Sequence, residues 1–379
     1  MPKIPNTFCP AKWDELFINF SNNYVYSCCK GVPETFTGNN YIQIIDQQKA
    51  NLLNGVQDPS CQYCWNLENA GSPSDRTLVY LKDFDETKFE QYQANTVTPS
   101  VIELNLGNEC NLQCMYCNPK FSSKWETDVR SKPYKILTDR HHFLLPKNKH
   151  SDRIDQSLKF LKELQNVKKL NIIGGEPLRN KNLWVLLDEV QGISELHLVT
   201  NLMTTKDTID RLFSYSHKFE KIVLGVSLDA TAELAEFIRH GLVYNEFLQN
   251  LNYIIDNYNQ NLTVIVLSLL TSLSVRDVAN LKAEVDTLRL KKPDLFWRTS
   301  YCISPKTQGF ETLPDALKPE LILELEEIAK NDNNLNIIPV LNQLKNSIFD
   351  TGMYTELNQF INEFSTRKNI QIPVQLKDA

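Results

Sequence analysis

In the stretch Val101-Ile-Glu-Leu-Asn105-Leu-Gly-Asn-Glu-Cys110-Asn-Leu-Gln-Cys114-Met-Tyr-Cys117, an apolar run gives way to three cysteines spaced C-x3-C-x2-C. Val101 to Leu106 reads as a strand, so the cysteines fall on the loop that follows its end. Three thiolates on one short loop can face one point, which suits an iron–sulfur cube. They ligate three of its four irons, whereas a ferredoxin-type run supplies four cysteines and closes the cluster. The fourth iron then stays open, as catalytic metal sites keep an open position. Zinc would want a fourth Cys or His close by, and the nearest downstream histidine is His141. Unrelated free thiols are the other plain alternative.

Working outward, strand and helix patterns alternate. The run Ile154 to Leu164 is amphipathic and leads into a strand at Lys169 to Ile173. A helix at Asn182 to Val190 precedes a strand at Glu195 to Val199, and a helix near Lys206 to Tyr215 precedes one at Lys221 to Leu228. One long helical run is expected over Ala232 to Tyr258, then a strand at Leu262 to Leu269, a helix at Ser274 to Leu288 and a strand near Leu295 to Tyr301. Such alternation predicts an α/β fold with a parallel sheet and right-handed crossovers. Periodicity does not say whether the sheet closes. The tail from Pro314 reads as helical, with Leu321, Leu323 and Leu325 among glutamates, and packs on the body as a solvated amphipathic helix. Lys120 to His150 is basic and irregular; its three histidines lack a carboxylate or cysteine at ligand spacing.

Upstream, Leu16 to Phe20 and Tyr24 to Ser27 read as two strands joined by Ser21-Asn22-Asn23, a hairpin turn because Asn tolerates positive φ. The expected division is a cysteine-rich module at 1–75, a linker at 76–99, the α/β body at 100–305 and a helical extension at 306–379. Eight of the chain's nine cysteines lie in the first 117 of its 379 residues, leaving Cys302 alone. A secreted disulfide scaffold is usually short and spreads its cysteines throughout. Met1 to Pro10 carries one lysine and no apolar core of a signal peptide, so the expected setting is cytoplasmic, with thiols kept for metal or catalysis. A net charge of −6 gives no general pull toward nucleic acid or acidic membranes. The most apolar stretch, Leu262 to Val275, is too short and too rich in Ser and Thr to span a bilayer.

Cys110-x3-Cys114-x2-Cys117, with Tyr116 before the last cysteine, resembles the radical S-adenosylmethionine (radical SAM) superfamily. Gly174-Gly175-Glu176-Pro177 is similar to that family's GGEP segment, which meets the methionine amino group. Glycines allow close backbone approach, and the acid can accept from an ammonium. Thr200-Asn201 resembles the "TNG" position with Leu202 in place of Gly, and Ser227-Leu228-Asp229 resembles "SxDG" with Ala230 in place of Gly. Ser227 is then a candidate contact to the ribose or carboxylate. Arg239 resembles an arginine that pairs the methionine carboxylate, a partner that a guanidinium suits bidentately. The resemblance covers about residues 100 to 300 and implies a partial (β/α)6 barrel. It also implies a [4Fe-4S] cluster on Cys110, Cys114 and Cys117, and bound S-adenosylmethionine. Reductive cleavage gives a 5′-deoxyadenosyl radical that abstracts hydrogen from the substrate, with electrons from a donor such as flavodoxin or ferredoxin.

Cys9, Cys28, Cys61 and Cys64, with Cys29 as an alternate to Cys28, could close a second cluster with no open iron. A structural zinc site built from four cysteines uses the same ligands, and a redox CxxC is a further alternative for Cys61 and Cys64. The order Cys9-Pro10, Trp13, Cys28-Cys29, Cys61-x2-Cys64-Trp65 resembles the twitch (half-SPASM) auxiliary cluster module, here placed before the body rather than after it. Cys302 reads as a core cysteine, or as a candidate catalytic donor or proton-transfer group. The implied reaction is oxidation of a peptide or protein substrate with the auxiliary cluster assisting. The alternatives are oxidation or rearrangement of a small molecule (a sugar, an aminoglycoside-like alcohol or an amino acid) and a non-catalytic zinc-bound protein.

Overall fold

The structure, a computed structural model, describes all residues except 1–2, 20–22, 29, 38–39, 70, 72, 136–144, 146–153, 164–165, 259, 333–335 and 378–379. Ser21 and Asn22 of the expected turn, Cys29, His141, His142 and His150 therefore lie outside the described residues. In chain order the described strands are β1 (Glu15–Asn19), β2 (Tyr24–Tyr26), β3 (Glu34–Thr35), β4 (Val101–Asn105), β5 (Gln113–Cys114) and β6 (Lys169–Ile173). They continue with β7 (Glu195–Thr200), β8 (Lys221–Ser227), β9 (Arg239–His240), β10 (Leu262–Leu270) and β11 (Phe296–Tyr301). The chain forms two compact units. One comprises Met1–Gly107, Asn148–Gly174 and Lys181–His197; the other comprises Asn108–Lys147, Gly175–Asn180 and Leu198–Ala379.

In the first unit β4 lies parallel to β6, with Leu104 opposite Ile172. Both strands alternate buried and half-buried residues, as the pattern predicts. β7 begins beside β6. β1 pairs antiparallel with β2, with Phe17 opposite Tyr26 and their rings stacked at 5.0 Å. The first of these strands also pairs parallel to β4, Leu16 opposite Ile102, so the amino-terminal segment extends the same sheet. Residues 76–99, expected to connect, instead carry a π-helical turn at Arg76–Tyr80 and a helix at Phe89–Gln93. Phe89 and Tyr92 are buried with Phe8 and Trp13, and Phe8 meets Phe89 edge-on at 5.0 Å. Burying four aromatic rings outweighs the polar composition of the segment around them.

In the second unit β8, β10 and β11 are parallel neighbours. The interior of β8 is buried at every position, as in a strand covered on both faces. The helix Val278–Lys291 connects β10 to β11. The long helical run expected over 232–258 is broken: helices Ala232–Ile238 and Tyr244–Asn257 flank β9. Gly241 follows β9 at φ +101, a backbone that a side chain resists. The break frees Arg239 and His240 to pair antiparallel with β5.

The carboxy-terminal helices are Lys318–Asn331, Ile337–Asn346 and Thr351–Lys368. Leu321 and Leu325 are buried one turn apart while Leu323 faces out. Phe360 and Phe364 of the last helix pack on Trp125. Among the described residues no helix is long and apolar enough to cross a membrane.

Candidate functional site

Cys110, Cys114 and Cys117 lie on the segment entering the helix Ser123–Ser131, whose N-cap is Ser122. That segment is tied down at nearly every residue. Ser123 Oγ accepts from the Cys110 N–H at 3.1 Å, and Ser122 Oγ donates to the Leu112 carbonyl at 2.8 Å. The Cys117 N–H closes a turn on the Cys114 carbonyl at 2.9 Å, and that carbonyl also accepts from Trp125 Nε1 at 2.8 Å. Met115 is clamped twice: its N–H donates to Ile238 at 2.8 Å, and its carbonyl accepts from Gln308 Nε2 at 2.7 Å. A loop held this way presents its thiols with little freedom left to lose on binding a ligand.

Burial pushes the Cys110 thiol up to about 12, with the neighbouring Cys114 adding to it. Burial raises Cys114 and Cys117 as well; the other two thiolates push Cys117 further, and Arg239 opposes the rise at Cys114. Three neighbouring thiols, Cys114 buried and the other two half-buried, ionise together only against a compensating cation.

Gly174 and Gly175 both have positive φ, +99 and +51. A Cβ at Gly174 would strike the Asn105 side chain, and one at Gly175 the Glu109 carbonyl oxygen. The glycines therefore let this segment close on the backbone leading to Cys110, rather than opening a cradle there. The Glu176 N–H donates to that same Glu109 carbonyl at 2.7 Å. The buried Glu176 carboxylate accepts from the Leu178 N–H at 3.1 Å, Thr200 Oγ1 at 2.7 Å and the Asn201 N–H at 2.6 Å. Of about four acceptor positions on a carboxylate, three are taken by the protein's own donors. Asn201 Nδ2 in turn donates to Asn111 Oδ1 at 2.9 Å and sits 3.9 Å from Cys110 Sγ. Leu202, standing where the family pattern has glycine, keeps a left-handed backbone at φ +58 and is fully buried.

Cys114 is paired in register with Arg239 across β5 and β9. Arg239 is buried and salt-bridged through Nη1 to Asp229 Oδ2 at 2.9 Å; Nη1 also donates to the Tyr116 hydroxyl. That hydroxyl donates to the same Asp229 oxygen at 2.6 Å, and Asp229 Oδ1 accepts from the Leu269 N–H at 2.8 Å. Arg239 Nε is buried without a partner, as is Gln308 Oε1. Two orphaned buried polar atoms beside the cysteine loop fit a polar guest there. Ser227 ends β8, half-buried. Cys302 follows β11; burial pushes its thiol up to about 12, and Sγ lies 3.7 Å from the Pro305 carbonyl.

Gln308 lies outside every motif and carried no signal in the sequence; its place beside Met115 arises only from folding. Thr200, by contrast, was legible beside Asn201.

In the first unit, Cys9, Cys28, Cys61 and Cys64 line one cavity together with Lys12 and Arg76. Asp58 caps the short 3-10 turn Pro59–Cys61, and Cys64 sits on the helix that follows. Cys9 precedes the helical turn Ala11–Asp14. Cys28 Sγ accepts from the Lys30 N–H at 3.4 Å. Burial raises the Cys9 thiol, and Cys28 and Cys61 raise it further. Among the described residues no three Cys, His, Asp or Glu converge closely enough to hold a single metal ion. A tetrahedral zinc with Zn–S of about 2.3 Å would draw its thiolates to about 3.8 Å apart.

Residues 104–283 match the family profile described as the Radical SAM superfamily, whose members are enzymes. GTP 3′,8-cyclase of Staphylococcus aureus (strain JH9) is 32% identical over 134 residues, 34% of this chain and 34% of that protein. The same enzyme of strain Newman gives the same figures. The chain thus spans about a third of the length of these curated relatives. Among solved structures, SuiB of Streptococcus suis bound to S-adenosylmethionine aligns at TM-score 0.40 and 12% identity, over 93% of this chain and 69% of that one. SuiB bound to the precursor peptide SuiA aligns at TM-score 0.39 and 13% identity, over 95% and 70%.

Proposed function

We propose that the protein is a radical SAM enzyme whose catalytic [4Fe-4S] cluster is held by Cys110, Cys114 and Cys117, on a partial (β/α)6 barrel. The observation that carries this reading is the clamped three-cysteine loop, with Asn201 beside Cys110 and Arg239 in register with Cys114. When bound, the cluster and S-adenosylmethionine supply a hydrogen-abstracting carbon radical. The protein's own residues do the rest. Glu176 fixes Asn201 through its N–H, and Asn201 orients toward Cys110. Asp229 holds the Arg239 guanidinium, leaving Nε as the donor for an anionic or polar group of the cofactor. Tyr116, its hydroxyl committed to Asp229, stays a neutral phenol and closes the loop's inner side. Ser227 is the candidate ribose or carboxylate contact at the end of β8.

The four-cysteine cavity supports an auxiliary cluster on Cys9, Cys28, Cys61 and Cys64 in a twitch-like module. Such modules serve peptide maturation in the family that the sequence resembles, so a peptide or protein side chain or backbone is the proposed substrate, oxidised by two electrons. The second reading is a small-molecule substrate. It is favoured by the likeness to the GTP 3′,8-cyclases, whose name states a nucleotide substrate.

Anaerobic reconstitution with iron and sulfide, then reductant and S-adenosylmethionine, tests the class. 5′-Deoxyadenosine should form, and Cys114→Ala should abolish it. Unchanged yield from that variant would end the assignment. A deuterated substrate passing label to 5′-deoxyadenosine then identifies the carbon attacked.

A further inference from the structure

Three cations line the four-cysteine cavity, and their charges are met differently. Arg76 is bound by Glu68 through Nε and Nη2, and Lys30 is exposed. Lys12 is only 2% exposed, and its Nζ donates to Gln48 Oε1 and Ser60 Oγ, each at 2.8 Å. Both acceptors are neutral, and among the described residues no carboxylate forms an ion pair with this ammonium. Asp58 stands one group further off, accepting from the Ser60 N–H at 2.9 Å and from the Ser60 hydroxyl. It is also shared with Asn51 at 2.7 Å.

A buried ammonium without a direct counter-ion is costly unless an anion adjoins it. What adjoins Lys12 is the cavity of four thiols.

We propose that Lys12 is the positioning charge of this cavity: it favours a net-anionic metal–thiolate guest and holds the reduction potential of that guest up. The proposal rests on the auxiliary-cluster reading. A cluster ligated by four thiolates is anionic and becomes more so on gaining an electron. A fixed positive charge in a low-dielectric wall stabilises the reduced form more than the oxidised one. Arg76 does this less, because Glu68 already answers its charge.

The test uses the full-length chain with Cys110, Cys114 and Cys117 all changed to Ala, so that only the auxiliary site can load. This protein, alone and with Lys12→Met or Lys12→Arg added, is reconstituted anaerobically and counted for iron, sulfide and zinc. It is then titrated with dithionite and mediators, followed by electron paramagnetic resonance. The reduced-to-oxidised ratio at a fixed potential should fall about tenfold or more in Lys12→Met, which is about 59 mV for a one-electron couple. Lys12→Arg should stay within about threefold of the parent, a shift of less than about 30 mV on the same scale. Replacing a buried ammonium with an apolar chain of similar size is expected to preserve the fold. If Lys12→Met yields no soluble protein, Lys12→Gln is titrated the same way. Clusters that load equally and share one potential in all variants overturn the role of Lys12 while leaving the auxiliary cluster standing. A parent that takes up zinc or no iron overturns the auxiliary-cluster reading, and this proposal with it.

Discussion

Leu202 shows how two residue-scale effects compete. Its left-handed backbone at φ +58 costs about 1–2 kcal/mol relative to glycine. Its side chain is fully buried, and removing a buried leucine side chain costs about 2–5 kcal/mol. The larger figure wins, so Leu202→Gly should lower stability by roughly 1–3 kcal/mol despite restoring the family's turn residue. Urea denaturation measures this, and a stabilised variant would show that the turn strain is the greater.

The Tyr116–Asp229–Arg239 group gives a second residue-scale prediction. Arg239→Met strands a buried carboxylate and should cost about 3–5 kcal/mol. Adding Asp229→Asn should recover part of that loss, a non-additivity that a double-mutant cycle reads directly. Simple additivity would show that the ion pair is not coupled. Type and spacing marked Cys110, Cys114 and Cys117 in the sequence, and the segments they resemble marked Glu176 and Asn201. Lys12 and Gln308 were not legible, because a lysine in Ala-Lys-Trp and a glutamine in Lys-Thr-Gln acquire meaning only from burial and from what folding sets beside them.

At the scale of elements, β4 carries a half-buried acid that makes stability depend on pH. Burial pushes Glu103 up to about 7 from 4.5, opposed by Tyr26, Lys169 and Asn171. The folded state therefore binds the proton more tightly than the unfolded chain does. Its contribution is full below pH 4.5 and is lost as pH rises through about 7. Relative to Glu103→Gln, the wild type should lose stability over that window, by at most on the order of 3 kcal/mol. Parallel slopes for the two proteins would refute it; both are measured in the same metal-free state.

Alternation made β4, β6, β7 and β10 legible, because half-buried strands repeat every second residue. Two features escaped for opposite reasons. The run 232–258 stays apolar at helical spacing, and only the backbone of Gly241 tells that β9 interrupts it. Residues 76–99 look polar because Phe89 and Tyr92 are spread thinly, though both are buried with Phe8.

For the whole molecule, the cysteine distribution carries the strongest consequence. Cys9, Cys28, Cys61 and Cys64 all fall in the first compact unit, and Cys110, Cys114 and Cys117 all fall in the second. Each set has its own supports. Asp58 holds the turn into Cys61, whereas Ser122, Trp125 and Gln308 hold the three-cysteine loop. If both sets bind clusters as proposed, loading should be separable. Cys61→Ala with Cys64→Ala should leave roughly half the iron, and the remaining cluster should respond to S-adenosylmethionine because its fourth iron stays open. Changing Cys110, Cys114 and Cys117 to Ala should leave the other half, with a spectrum that added S-adenosylmethionine does not move. Iron counting together with electron paramagnetic resonance decides the matter. If either set of substitutions empties both sites, the two sets are not independent ligand shells; if the three-cysteine variant retains the S-adenosylmethionine response, the open iron belongs to the other set.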